Sequence, residues 1–384
     1  MITRFMQKAR GLARLFSKPA PPRAPRIAVI CAAHRGNSGM YSVDSSAVHY
    51  FEGRGLAFDI FYAQRPPDRE ADVIAGHTAK LFRRMKDLSG YSDIVYWGDF
   101  LNNPVYGRGD FANRDRGFGH SATTREGYDA WKRLFNFYGA RRPGNAVSVG
   151  NNFQHDFAAE LPNAKPIFAR IEKNFRAILP RDPHSLQSLS SMLSPEGRSV
   201  ARQGMDCAFL LPPLPAQPKD DIFCYTFNRS KLPQRERLIR RIEEVTGLRG
   251  QPMPGWMHLK EADAEADFQA MRAKIASARF VVSDTYHFLI NSMVLGVPVV
   301  GLGRTAEKQT GTLGDFKKRM LFGMLDLDAQ YVEMGDETPE AYAERVAEIC
   351  RAAPNLDPAQ LYARMHTLRD GFRGDLDQLF PGDA

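Results

Sequence analysis

The chain has 384 residues, 43% hydrophobic and 25% charged, too long for one ordinary core and too apolar for global disorder. Its net charge of +8 would suit a nucleic-acid binder only if it were spread over a folded face. Residues 1–43 instead hold eight Lys and Arg and no acid, and the remaining 44 cations meet 44 Asp and Glu. The body is neutral, so no nucleic-acid partner is expected.

The N-terminal arm carries the excess. Ile2, Phe5, Met6, Ala9, Leu12, Ala13 and Phe16 recur at helical spacing with cations mostly opposite, and a Pro-rich spacer follows from Pro19 to Pro25. A basic amphipathic helix of this kind lies on an anionic membrane surface. Residues 2–18 are thus an expected peripheral contact, and a frayed leader or a helix packed on the body is the alternative. The arm lacks the apolar run of a secretory signal, and no segment reaches the ~20 apolar residues of a membrane span. A cytoplasmic protein, peripheral on the inner face of the membrane, is the expectation. Cys31, Cys207, Cys224 and Cys350 stand far apart and the nine His show no ligand spacing, so neither a disulfide framework nor a structural metal is expected.

After the spacer, strand and helix patterns alternate, which predicts parallel sheets covered by helices. Strands are expected at 26–33, 57–63, 93–98, 146–150, near 166–169 and at 205–211, with helices from about Val43, at 70–87 and at 123–138. Pro212, Pro213, Pro215 and Pro218 then break the chain. Beyond them, strands are expected at 221–227, 279–283 and 297–302, and helices at 233–246, 265–278, 286–296, 308–325, 338–353 and 357–379. The division is an arm (1–25), a Rossmann-like lobe (26–215), a second such lobe (216–335) and C-terminal helices (336–384). Two such lobes enclose a cleft where strand C-termini face each other. Residues 101–120, rich in Gly, Arg, Asp and Asn and without periodicity, read as a lid or acceptor-binding loop. On that reading Asp99, Arg108, Asp110 and Asn151 are the acceptor-contact candidates.

Two segments carry chemistry. The turn His34-Arg35-Gly36-Asn37-Ser38-Gly39 can set backbone N–H groups against an anion, although it has neither the dinucleotide nor the P-loop spacing. The stretch VVSDTYHFLINSMVLGVPVVGL, residues 281–302, ends a buried strand at Ser283-Asp284 and places His287 in the first turn of a helix. A His there is suited to proton transfer near neutral pH; alternatively the segment is an ordinary helix start capped by Asp284.

This stretch resembles the C-terminal signature of the polysaccharide pyruvyl transferase family, approximately Ser/Thr-Asp-Arg-Leu-His-Gly-x-Ile-x-Ala, three residues, then Gly-x-Pro-x-Val. Ser283, Asp284, His287, Ile290, Gly296, Pro298 and Val300 fall in register. Residues 36–39, 93–98, Arg170 with Glu172, 206–211 and Phe316-Lys317 through Leu327 are similar to the family's shorter landmarks in the same order. The resemblance implies a GT-B-like fold of two facing lobes and transfer of the enolpyruvyl unit of phosphoenolpyruvate to a saccharide hydroxyl in cell-envelope or exopolysaccharide synthesis. It implies a lipid-linked glycan or other saccharide acceptor and no bound cofactor. By the same resemblance His287 and Asp284 are the catalytic residues, with Asn37, Gly39, Arg35, Arg170, Ser283 and Lys317 on the donor. The family's Arg is Thr285 here and its Gly is Phe288. Thr cannot make the charge-assisted contacts of Arg, so Arg35, Arg229 or Arg304 would have to carry the donor's charge. Two other functions fit: a glycosyltransferase using a nucleotide-sugar, with Glu307 on the ribose, and a non-catalytic saccharide-binding homologue.

Overall fold

The computed structural model describes residues 26–32, 36–66, 70–139, 145–260, 263–304 and 315–382. The arm 1–25, Arg35 and Glu307 lie outside the described residues.

Strands β1 (Ile27–Ile30) and β2 (Phe58–Tyr62) are followed by a small antiparallel hairpin, β3 (Val73–Ile74) and β4 (His77–Thr78). With β5 (Lys80–Leu81), β6 (Asp93–Trp97), β7 (Ala146–Val149) and β8 (Phe175–Leu179), β1 and β2 form a parallel sheet in the order β5-β2-β1-β6-β7-β8. A second parallel sheet, β10-β9-β11-β12-β13, comprises β9 (Ile222–Thr226), β10 (Arg249–Pro252), β11 (Phe280–Ser283), β12 (Val299–Gly303) and β13 (Tyr331–Glu333). In β1, Ile27 and Val29 enter one apolar cluster and Ala28 and Ile30 another, the two-sided burial that parallel sheets require. The result is two Rossmann-like lobes, each a doubly wound sheet.

Strand order reverses between β1 and β6 in the first sheet and between β9 and β11 in the second. Ligands of open parallel sheets sit at the strand C-termini at such reversals. Helix α1 (Ser38–Gly53) follows β1, and one apolar cluster runs from it through both lobes. Tyr41 of α1 meets Phe268 edge-on at 5.2 Å between ring centroids. The C-terminal helix, residues 363–379, returns to the first lobe: Tyr50 Oη donates to Asp377 Oδ1 at 2.9 Å, and Phe380, just past the helix end, packs 5.5 Å from Phe51.

Several expectations are corrected. Residues 70–87 hold the hairpin at 73–78, then β5 and the start of a 3-10 turn at 85–88, rather than a helix; Ala75 and Gly76 both take left-handed backbone, φ 45° and 84°, and reverse the chain. Residues 165–174 are a helix, with Pro166 in the first turn where its missing N–H costs nothing, and the strand comes after it at β8. Residues 207–210 are a single 3-10 turn capped by Asp206; a short apolar run does not by itself distinguish strand from buried turn. Helix α1 begins at Ser38, ahead of Val43, because Asn37 Oδ1 accepts from Gly39 N at 2.9 Å. Residues 363–379 follow a separate turn at 358–361.

The expected lid is also helical. Residues 104–106, a wider π turn at 107–111 and residues 112–117 form one packed segment. Asn103 caps it at Val105 N, 2.9 Å away, and Tyr106, Phe111 and Asp115 are buried. A Cβ on Gly107 would fall 2.1 Å from the Trp131 ring, so only glycine permits this contact. Among the described residues, no helix is long and apolar enough to cross a membrane.

Candidate active site

A cavity of about 480 Å³ lies where the two switch points face each other. Two helix N-termini open onto it: α1, through Asn37 and Gly39, and the helix Tyr286–Val294, through Thr285 and His287. Both present partial positive charge to the cavity.

Arg181 is the dominant side chain. It follows β8, is only 2% exposed, and lies between Tyr286 and Phe100, its Cζ 4.7 and 5.5 Å from their ring centroids. Asp182 Oδ2 stands 3.5 Å from its Nε, and Asp206 Oδ2 stands 3.7 Å from its Nη1. Nε and Nη2 have no hydrogen-bond partner within the protein. A buried guanidinium with open donors in a cavity is built to receive an anion.

Lys317 stands beside it, Nζ 5.6 Å from the Tyr286 ring centroid. Desolvation, with the charges of Arg181, Arg229 and Lys318, lowers its pKa to about 7, against the opposing pull of Asp99. This has a consequence for stability. An unfolded lysine near 10.5 binds its proton more tightly than the folded one, so the charged form destabilises the fold fully below about pH 7 and progressively less up to about 10.5. Lys317→Met should therefore raise the melting temperature below pH 7, by the equivalent of about 1–3 kcal/mol after allowing for its partial exposure. The gain should vanish by about pH 10.5; a pH-independent gain in a melting series would contradict the shifted lysine.

His287 spans the lobes. Its Nε2 lies 3.3 Å from Asp206 Oδ2, and a Cβ on Gly39 would come within 2.9 Å of its Cβ and its Nδ1. Glycine at 39 thus leaves room for the imidazole at the cavity wall. Burial acts to raise the Asp206 pKa, but the nearby His287 ring, the charge of Arg181 and the hydrogen bond from Ala208 N hold it below the usual value. Asp206 therefore stays anionic and orients the ring. Asp99 follows β6 with φ 55°, directly after Gly98 at 71°, a sparsely populated conformation that turns its side chain toward the cleft. Burial raises the Asp99 carboxyl above its usual range, opposed by Arg181, His287, Arg114 and Lys317.

Of the residues named from sequence, the cavity brings together Asn37, Gly39, Asp99, Asp284, His287 and Lys317. Asp284 has a structural duty: Oδ1 accepts from Asn228 N at 2.9 Å, and Oδ2 accepts from Arg229 N at 2.9 Å and Ser230 N at 2.7 Å. With its carboxylate committed to this turn, it positions the site rather than carrying a proton. Ser283 is buried and accepts from Thr285 N at 2.9 Å while donating to Thr226 O at 3.0 Å, so it cannot reach a donor. Asn151 is buried too, binding Asn102 N at 3.1 Å and Tyr96 O at 3.2 Å. Arg170 lies outside the cleft, over the Tyr138 ring at 5.5 Å. Arg108 lines a different cavity, and Asp110 is exposed on the helical segment that replaces the lid. Arg304 donates from Nη1 to Lys231 O at 3.3 Å, whereas Arg229 lines the cleft.

Arg181 and Asp206 were the missed site residues. Arg181-Asp182-Pro183, between a strand and a helix capped by Asp182, fits an Arg-acid pair ahead of a helix better than Arg170 does. The departures are accommodated structurally. Thr285 Oγ1 lies 2.7 Å from Thr226 Oγ1 and donates to Asp284 Oδ1 at 3.2 Å. Phe288 packs edge-on to Trp256 at 5.0 Å, a contact worth about 0.5–1.5 kcal/mol beyond its burial. Among the described residues, no group of three His, Cys, Asp or Glu could hold a metal ion.

Fold and cleft together define a GT-B-like α/β protein with an anion-receptive site between its lobes. Residues 122–305 match the model of the polysaccharide pyruvyl transferase family; the resemblance to that transferase family is shown over this span, which contains Arg181, Asp206, Asp284 and His287. No curated protein matches the chain in sequence. Among solved structures, the glycotransferase of kitacinnamycin is similar at 13% identity, over 93% of this chain and 99% of that one, with a TM-score of 0.49. Sucrose-phosphate synthase from Thermosynechococcus elongatus is similar at 12% identity, over 93% and 98%, with a TM-score of 0.48. Anabaena HepE in complex with UDP-glucose is similar at 10% identity, over 92% and 99%, with a TM-score of 0.45.

Proposed function

We propose that the chain transfers the pyruvyl unit of phosphoenolpyruvate to a saccharide, forming a pyruvate ketal on an exopolysaccharide or cell-envelope glycan. The observation that carries this reading is Arg181, buried in the cleft with open guanidinium donors. Phosphoenolpyruvate carries a phosphate and a carboxylate, and Arg181, Arg229 and Lys317 supply cationic partners for both without an Arg at position 285.

In this reaction the donor's methylene carbon gains a proton while its C2 bonds to an acceptor hydroxyl oxygen. The C2–O bond to phosphate then breaks, and a second hydroxyl of the same sugar closes the ketal. Of the two hydroxyl protons released overall, one balances the methyl group and the other leaves with phosphate. His287, oriented through Nε2 by Asp206, delivers the proton to the methylene carbon from the ring's other nitrogen. Asp99, whose raised pKa makes it the stronger base, receives the proton of the attacking hydroxyl. Arg181 and Lys317 hold the departing phosphate.

The test is incubation of the full chain with phosphoenolpyruvate and candidate acceptor glycans, following phosphate release and the ketal methyl signal by NMR. Stoichiometric, acceptor-dependent appearance of both is the expected outcome. Sugar transfer from a nucleotide-sugar, with neither signal formed from phosphoenolpyruvate, would replace this reading with the glycosyltransferase one.

A further inference from the structure

A second cavity, about 460 Å³, lies on the first lobe and shares no lining residue with the cleft. Arg108, Tyr128, Lys132 and Tyr138 line it, with Leu161 and Ile167 on its floor. The Lys132 ammonium stands 5.1 Å from the Tyr128 ring centroid and 5.3 Å from that of Tyr138, and the Arg170 guanidinium stands 5.5 Å from Tyr138. Tyr138 is 40% exposed, one of two large apolar side chains so exposed among the described residues. It is turned outward by Phe137, which closes the helix Thr124–Asn136 in left-handed conformation at φ 56°. Tyr128 is held firmly, stacked on Trp131 at 5.6 Å with the planes 11° apart.

The charge balance is one-sided. Three cations, Arg108, Lys132 and Arg170, surround the rings, and Asp129, 2.5 Å from Lys132, offsets one of them. An adjoining cavity of about 250 Å³ shares Arg108 and Leu161 and extends the feature into a groove. The acid in that extension, Glu160, is paired with His155 Nδ1 at 3.0 Å. A groove with exposed aromatic surface and surplus cations matches a ligand with apolar C–H faces and regularly placed anions. Because the chain's body is electrically neutral overall, this is a local feature and not part of a general polyanion surface.

We infer that this groove binds a carboxylate-bearing segment of the acceptor saccharide, outside the site of chemistry. The helical segment at 104–117 joins the two places: Phe100, just before it, lines the cleft, and Arg108 within it lines the groove. A glycan with one sugar in the cleft is thereby held again further along its length, which raises its effective concentration at the cleft. The inference rests on the saccharide half of the proposed function but not on the donor.

The test is equilibrium binding of hexagalacturonate, maltohexaose and inorganic phosphate to the full chain, with no donor present. Hexagalacturonate should bind at least tenfold more tightly than maltohexaose. The double variant Lys132→Gln/Arg170→Gln and the single variant Tyr138→Ala should each weaken it about tenfold or more, with melting temperatures unchanged. Arg237→Gln, an exposed cation of the second lobe paired with Glu340, should leave hexagalacturonate binding as it was, and because no donor is present, failure of the donor assignment does not touch this result. Equal affinity for maltohexaose, unchanged binding in the groove variants, or displacement by equimolar phosphate would each overturn the inference.

Discussion

His287→Asn should lower turnover about 10²–10⁴-fold, the usual cost of removing a general acid or base, while the melting temperature falls by only a few degrees. Asn approximates the size of the imidazole and can still donate toward Asp206, 3.3 Å from the native Nε2, so packing between the lobes is largely kept. What it loses is the ability to take up and release a proton. Asp206→Asn gives the companion result: as a positioning residue it should lower kcat by a smaller factor, leave KM for the donor nearly unchanged and alter the pH profile. Turnover for His287→Asn within a few-fold of wild type would return His287 to a purely structural part in the lobe contact.

Arg181→Gln should weaken donor binding by about 2–5 kcal/mol, roughly 30-fold to several thousand-fold, because the ligand's anion then loses its buried guanidinium and keeps only Lys317 and Arg229. The same substitution removes the counter-charge 3.5 and 3.7 Å from Asp182 and Asp206, and a stability loss of about 3 kcal/mol is expected with it. Arg181→Lys separates the two effects. It keeps one positive charge beside the acids but loses the planar fork and its stacking between Tyr286 and Phe100, so stability should recover more fully than donor affinity. Equal recovery of both would mean that Arg181 serves only to neutralise its acidic neighbours.

The second lobe's half of the cleft was the more legible in sequence. The run 281–302 has a buried strand, polar residues at its end and a Gly-x-Pro return, and the structure places β11, the His287 helix and β12 there. The first lobe's half was hidden for specific reasons. Arg176 interrupts the apolar run of β8 with an exposed side chain, masking the strand that leads to Arg181. The wide π turn at 107–111 breaks the 3.6-residue period of the segment after Asp99, so a packed helical segment read as a loop. Proximity is the remaining gap. That Asp206 would meet His287, 81 positions along the sequence, follows from the juxtaposition of two lobes and from no local pattern.

Ligand-induced stabilisation tests the central claim most directly, since a ligand that binds only the folded state raises its melting temperature by mass action. Wild type and Arg181→Lys should be melted alone, with phosphoenolpyruvate, and with a panel of nucleotide-sugars at matched concentrations. Phosphoenolpyruvate should shift the wild type upward and Arg181→Lys much less, and the nucleotide-sugars should shift neither. A shift produced by a nucleotide-sugar, with phosphoenolpyruvate inert, would contradict that claim.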